Sequence, residues 1–188
     1  MVPDAETGSC LRGESRGTAS ALQLPLGDEA AAGGYLAWRW KVDGPVPGAD
    51  LNRREGDDSP ARVTVAFRVP ADASFRERAR HRLARMRFGD DAPAAAITYL
   101  WGGTEAAGSI LPSPYSQRVA LVVLRNQGDP PGHWLSEARD IREDYRSFFG
   151  GEPPPIAGIA LMTDSDDTGS HSGACFGDLL LLAEEGAG

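Results

Sequence analysis

Apolar and polar residues alternate with a period of two through much of the chain, a pattern that predicts β-strands. In residues 35–42, Leu36, Trp38, Trp40 and Val42 fall on one face while Arg39 and Lys41 fall on the other. Residues 62–69 repeat the design, with Val63, Val65, Phe67 and Val69 set against Arg62, Thr64 and Arg68. Further strands are expected over 19–26, 96–101, 117–125, 156–163 and 174–183. Gly33-Gly34, Gly44-Pro45, Pro47-Gly48, Asp129-Pro130-Pro131-Gly132 and Pro153-Pro154-Pro155 separate them, because glycine and proline supply turn geometry and interrupt strand pairing. Many strands divided by such turns point to a mainly β protein, an antiparallel β-sandwich or jelly roll rather than a parallel α/β sheet.

Two short helices are expected to pack on that sandwich. Over 74–88, Ser74 and Glu77 have the spacing of a capping box, Phe75, Ala79, Leu83 and Met86 form an apolar stripe, and Gly89 is a stop. Over 141–149, Ile141, Tyr145, Phe148 and Phe149 share one side, and Gly150-Gly151 ends the helix. The reading is one domain over residues 1–188, with frayed tails at 1–9 and 184–188.

Composition narrows the classes of partner. A chain of 188 residues, 41% hydrophobic, can bury a core without a metal or disulfide to staple it. Its formal net charge of -8 argues against nucleic acid or an anionic membrane as the main partner. No apolar run is long enough for a membrane span, and the start, Met1-Val2-Pro3-Asp4, has neither the basic nor the apolar part of a signal peptide. Cys10 and Cys175 lie near opposite ends of the chain. Two buried thiols is the plainer reading, and a disulfide closing a very long loop is the other.

The densest chemistry is the run Asp164-Ser165-Asp166-Asp167-Thr168-Gly169. Hard cations take several oxygen ligands from a tightly turning backbone, and Asp164, Asp166 and the Thr168 hydroxyl have alternate spacing suited to calcium. Cys175 stands where an EF-hand would supply its bidentate Glu, and strands flank the run, so this is no EF-hand. A second contributor is needed, and Asp57, Asp58 or Asp50 in the 50–60 loop are the candidates. The competing reading is a solvated turn in which Asp side chains bond their own backbone.

Other constellations are weaker. Arg39, Lys41, Arg62 and Arg68 would gather into an anion-binding face if strands 35–42 and 62–69 were neighbours. Tyr99 and Trp101 share a strand face and could stack on a sugar; the bland alternative places both in the core. The arginines at 76, 78, 80, 82, 85 and 87 spread around their helix and read as a solvated face. No catalytic residue is assigned: His81, His133 and His171 are scattered, and His171 takes the serine's place in an elbow-like Gly169-Ser170-His171-Ser172-Gly173.

Several segments together resemble the bacterial family called domain of unknown function 3047. They include residues 36–42, Pro47-Gly48-Ala49-Asp50, Gly56-Asp57-Asp58-Ser59-Pro60, Ile97-Thr98-Tyr99-Leu100-Trp101, Pro112-Ser113-Pro114-Tyr115, Gly151–Ile156, the stretch from Gly158 to Thr168, and Gly177-Asp178-Leu179. The resemblance implies a jelly-roll sandwich similar to galactose-binding-like and carbohydrate-binding modules, and a periplasmic or extracellular location. It also implies that an N-terminal strand ahead of 19–26 is missing here. The leading expectation is a non-catalytic module binding a saccharide or other polar small ligand, steadied by calcium. Its rivals are a small carboxylate-dependent hydrolase or lyase using Asp58, Asp164 or Asp166 with His171, and an envelope-associated structural protein.

Overall fold

The two strands with the strictest alternation end up facing each other from opposite sheets, and their inward residues form the centre of the core. The structure is a computed structural model, and it describes residues 1–28, 32–70, 73–76, 78–79, 82 and 93–183. In chain order the described strands begin with β1 Val2–Asp4, β2 Gly8–Arg16, β3 Ala19–Pro25, β4 Tyr35–Val42, β5 Ser59–Phe67 and β6 Ala95–Trp101. They continue with β7 Ile110–Ser113, β8 Ser116–Arg125, β9 Leu135–Asp140, β10 Ile156–Asp164 and β11 His171–Leu182. One sheet has the order β1-β2-β11-β4-β9 and the other β3-β10-β5-β6-β8-β7. The chain is therefore mainly β with two sheets, as the alternation predicts.

All pairings are antiparallel except that of β6 with β8. After β6 the chain passes over β8's position, adds β7 at the edge, and returns through a tight turn to lay β8 between them. That skip is what makes β6 and β8 run the same way.

Between the sheets, Leu36, Trp38, Trp40 and Val42 of β4 meet Val63, Val65 and Phe67 of β5 and Tyr99 and Trp101 of β6. The aromatic rings stack across the sandwich: Trp38 and Tyr99 have centroids 5.3 Å apart, and Trp40 and Trp101 6.1 Å. Each such fully buried side chain contributes roughly 2–3 kcal/mol relative to exposure. A second cluster, Leu51, Leu100, Leu121 and Val123, lies on the outer face of β6 and β8. The loop carrying Leu51 folds back over that face. Its anchor is Glu105, which accepts from Leu51 N at 2.7 Å and Gly103 N at 3.0 Å. Gly103 admits this approach, since a Cβ there would stand 2.5 Å from the Ala49 carbonyl oxygen.

The helix expected at 141–149 is present as α1, Ile141–Phe149. Asp140 caps it, accepting from Arg142 N and Glu143 N at 2.9 and 3.1 Å, and Gly150 ends it at φ 73°. Buried Asp144 ties it to both sheets, accepting from the Tyr99 hydroxyl at 2.8 Å and from Arg139. The other expected helix, 74–88, lies largely outside the described residues, as does the expected tail 184–188. No helix among the described residues is long and apolar enough to cross a membrane.

The N-terminus departs from expectation. Residues 1–9 are not a frayed tail: β1 and β2 form a hairpin ahead of β3, and β2 pairs with β11. A disulfide between Cys10 and Cys175, with Cα atoms 5.5 Å apart, fastens it. Asp4 fastens it again, accepting from Glu6 N, Thr7 N, Trp134 Nε1 and Lys41 Nζ. The Lys41 ammonium is the main cause holding the Asp4 carboxyl well below its ordinary range.

Candidate functional site

β5 begins and β10 ends at the same end of the six-stranded sheet, because Ser59 and Asp164 are register partners. That pairing brings the loop before β5, carrying Asp57 and Asp58, against the turn after β10, carrying Asp166 and Asp167. The contact is direct. Asp58, fully buried, accepts from Asp167 N at 3.2 Å and from Thr168 N at 2.7 Å. Other contacts hold the turn in place: Ser165 N donates to the Thr18 carbonyl at 3.2 Å, and Gly17 N to that of Ser170 at 2.8 Å.

Two tiers result. In the outer tier, carboxylate oxygens of Asp58, Asp166 and Asp167 lie within 4.8 Å of one another. Two ligands of one calcium, each at about 2.4 Å, can be at most about 4.8 Å apart, so this spacing suits a single hard cation. In the inner tier, Asp57 and Asp164 flank Arg62. The Arg62 guanidinium bonds Asp57 Oδ1 at 3.0 Å and also the Asp57 carbonyl, and it lies 3.5 Å from Asp164 Oδ2. Asp164 Oδ1, Thr168 Oγ1 and Arg62 Nε are buried without a hydrogen-bond partner.

Five carboxylates therefore share one guanidinium as their internal counter-charge. Burial pushes Asp164 up to about 7, outweighing Arg62, with the facing Asp166 carboxyl and Asp58 adding to the rise. Asp57 and Asp167 are also raised, again chiefly by burial. On the rim, the exposed Tyr115 donates to Asp167 at 3.0 Å; burial of its hydroxyl, and then this bond, push it up to about 12. Arg54 lies over the Tyr115 ring at 5.2 Å, and its Nε donates to the Pro114 carbonyl at 3.1 Å.

Against the residues expected from sequence, the structure brings Asp58 and Asp166 together with Asp167, while Asp57 and Asp164 stand behind them and Thr168 contributes its backbone N–H to Asp58. Asp167 was passed over because alternate spacing was assumed, whereas the turn at 166–169 presents consecutive residues. Tyr115 and Arg54 were missed as well; only the hairpin between β7 and β8 reveals them.

The proposed ligand-binding residues are corrected. Tyr99 and Trp101 are 0% and 1% exposed, with Tyr99 bonded to Asp144 and Trp101 Nε1 to the Asn126 carbonyl, so neither offers a face for stacking. Arg39 and Lys41 do not join Arg62 and Arg68, because β4 and β5 lie in different sheets. Arg39 pairs with Asp178 and Lys41 with Asp4, both beside the Trp134 ring, and Arg68 pairs with Asp28 at 2.7 Å. Arg62 is not on an outward polar face; the 50–58 loop covers it. His171 lies beside Asp43, whose carboxyl it helps to lower after Arg12.

A family model matches residues 2–180, and its description is Protein of unknown function (DUF3047). The chain belongs to that family. No curated protein matches it. In this DUF3047 chain the match spans both sheets and both acidic loops, so the site lies within the family's own unit.

Proposed function

We propose that this DUF3047 chain is a non-catalytic binding module whose acidic end takes calcium or a similar hard cation and holds a saccharide or other polar small ligand beside it. The observation that carries this reading is the trio Asp58, Asp166 and Asp167, with oxygens within 4.8 Å of one another. Independent support comes from the buried Asp164 Oδ1, which has no donor and whose carboxyl faces Asp166. A cation supplies the positive charge that Arg62 alone does not.

Calcium titration of the chelator-treated protein tests it. A site of micromolar affinity at millimolar calcium adds about 4 kcal/mol, or roughly 8–16 °C in melting temperature for a chain of this size. Calorimetry should show one site, and Asp58→Ala with Asp166→Ala should abolish both signals. A flat melting temperature together with no binding heat rejects the reading.

A second reading, a carboxylate-dependent hydrolase, is favoured by one observation: Asp164 faces Asp166 with its carboxyl raised to about 7, the range in which general acids work near neutrality. Its test is turnover of glycoside or ester substrates that disappears in Asp164→Asn.

A further inference from the structure

At the opposite end of the sandwich a cavity of 450 Å³ opens where β5 ends and where β10 and α1 begin. β5 and β10 each run nine residues between the two ends, so roughly 26 Å of strand separates this cavity from the acidic loops. Two guanidinium side chains, Arg68 and Arg142, line it. Backbone carbonyls hold both: Arg68 Nη2 donates to Leu26 at 2.9 Å, and Arg142 Nη2 to Ala32 at 3.1 Å. Arg142 forms no ion pair among the described residues, and Glu152, the carboxylate its charge reaches, is bonded to Arg146 at 2.9 and 2.7 Å. Arg68 Nη1 donates at 2.7 Å to Asp28, which also lines the cavity and whose side chain is 94% exposed. An ion pair this exposed is worth little. Gly34 gives Arg142 its place, because a Cβ there would stand 2.8 Å from the Arg142 Cζ.

We infer that this cavity binds a small organic carboxylate with an apolar body, with Arg68 and Arg142 supplying the positive charge and Asp28 giving way to the ligand. The site is independent of the cation reading above. Its charged lining is Arg68, Arg142 and Asp28, so the cavity is locally positive in a chain of net charge -8. That local charge selects an anion, and the negative overall field opposes a monoanion less than a phosphate dianion. A guanidinium carries more N–H donors than the one bond that Arg142 makes among the described residues, so donors remain for a carboxylate. The apolar part of the lining is Pro153, Pro154 and Pro155 together with the buried Phe67 and Ile156. Proline rings offer no backbone donor and hold a fixed φ, so they present a rigid apolar surface. Such a surface suits an alkyl or aryl body and not a polyhydroxylated sugar. The volume lies within the range of small-ligand sites.

Isothermal titration of the whole chain with indole-3-acetate and octanoate tests the inference, in EDTA so that no cation occupies the acidic end. At least one of the two acids should bind, with its amide and inorganic phosphate each bound at least tenfold more weakly. Arg68→Gln and Arg142→Gln should each weaken the acid at least tenfold, the loss expected on removing a charged hydrogen-bond partner, with the melting temperature of the free protein unchanged. Asp28→Asn should tighten binding, since the competing carboxylate is gone. In amide NMR spectra of the wild-type chain, the acid should shift the signals of Gly33, Gly34 and Ile156 and leave those of Asp166, Asp167 and Thr168 in place. That mapping decides the location without any variant. No binding of either acid, an amide or phosphate bound as tightly, unchanged affinity in the arginine variants or in Asp28→Asn, or shifts centred on the acidic loops each overturns the inference.

Discussion

Replacing Asp164 with Asn tests whether the acidic end costs stability when no cation is bound. In the chelator-treated protein the Asp164 carboxyl is raised from 3.8 to about 7, with burial the first cause and the facing Asp166 and Asp58 adding to it. Between those two values the folded chain keeps a proton that the unfolded chain has already released. The folded state thus binds more protons, and stability falls as pH rises through that window; it is fully present below about pH 4 and lost by about pH 7. A shift of about three pH units at about 1.36 kcal/mol each sets a ceiling near 4 kcal/mol. Solvent reaches the turn, so the working figure is about 2 kcal/mol. Asn has nearly the same volume and does not ionise, and Arg62 keeps its bond to Asp57. Urea denaturation in EDTA at pH 5 and pH 8 spans about two of those three units, so wild type should lose roughly 1–1.5 kcal/mol more than Asp164→Asn on going to the higher pH. Contributions from Asp57, Asp167 and Asp4 are common to both proteins and cancel in the comparison. In wild type, calcium should raise the melting temperature more at pH 8 than at pH 5, since it competes with the proton. Identical pH profiles for the two proteins would refute the electrostatic account of the site.

Two further predictions concern the frame. The Cys10–Cys175 disulfide spans 165 positions, so chain-entropy arguments put its contribution at up to about 5 kcal/mol, with 2–4 kcal/mol typical. The double variant Cys10→Ser with Cys175→Ser should lose that much in urea titration, and thiol assay of the denatured, unreduced protein should find no free sulfhydryl; two titrating thiols would refute the pairing. Tyr99→Phe removes the donor at 2.8 Å from Asp144 and leaves that carboxylate to Arg139 alone. A loss of about 1–2 kcal/mol is expected, and a change within measurement error would show that the bond adds nothing to the anchoring of α1.

What the sequence revealed follows from which faces are covered. β4 buries one face, and so does β5 beyond the buried Arg62, so Leu36, Trp38, Trp40 and Val42, and Val63, Val65 and Phe67, read correctly as core. In β6, both faces are covered, by the main core and by the Leu51 cluster, so alternation there could say that Tyr99 and Trp101 share a face but not that the face is closed. β1, β7 and β9 are edge strands, and their mixed polarity and short length leave little periodic signal. Arg39 and Arg62 sit on strands consecutive in the chain yet separated by the thickness of the sandwich, which defeated the cationic-face expectation. At the candidate site, both acidic loops were visible as composition, but their meeting depends on the Ser59–Asp164 register, a non-local pairing that no local pattern encodes. Asp164 itself marked the end of a core strand, and it is that position, rather than its place in an acidic run, that buries it.

That burial is the strongest physical argument that the acidic end acts on something outside the chain. A buried carboxylate is ordinary when its oxygens are paired, as those of Asp144 in α1 are by Tyr99 and Arg139. The same fold therefore satisfies one buried aspartate completely and leaves another, Asp164, with an oxygen that has no donor. Substituting the nearly isosteric Asn would remove the repulsion at little cost in packing, and a chain optimised only for stability would favour it. Local conflicts of this kind concentrate where a protein is built to receive a ligand. Protonation relieves this conflict only up to about pH 7; above that, a hard divalent cation of the kind proposed above would relieve it, bringing positive charge and taking several oxygens in a loose arrangement.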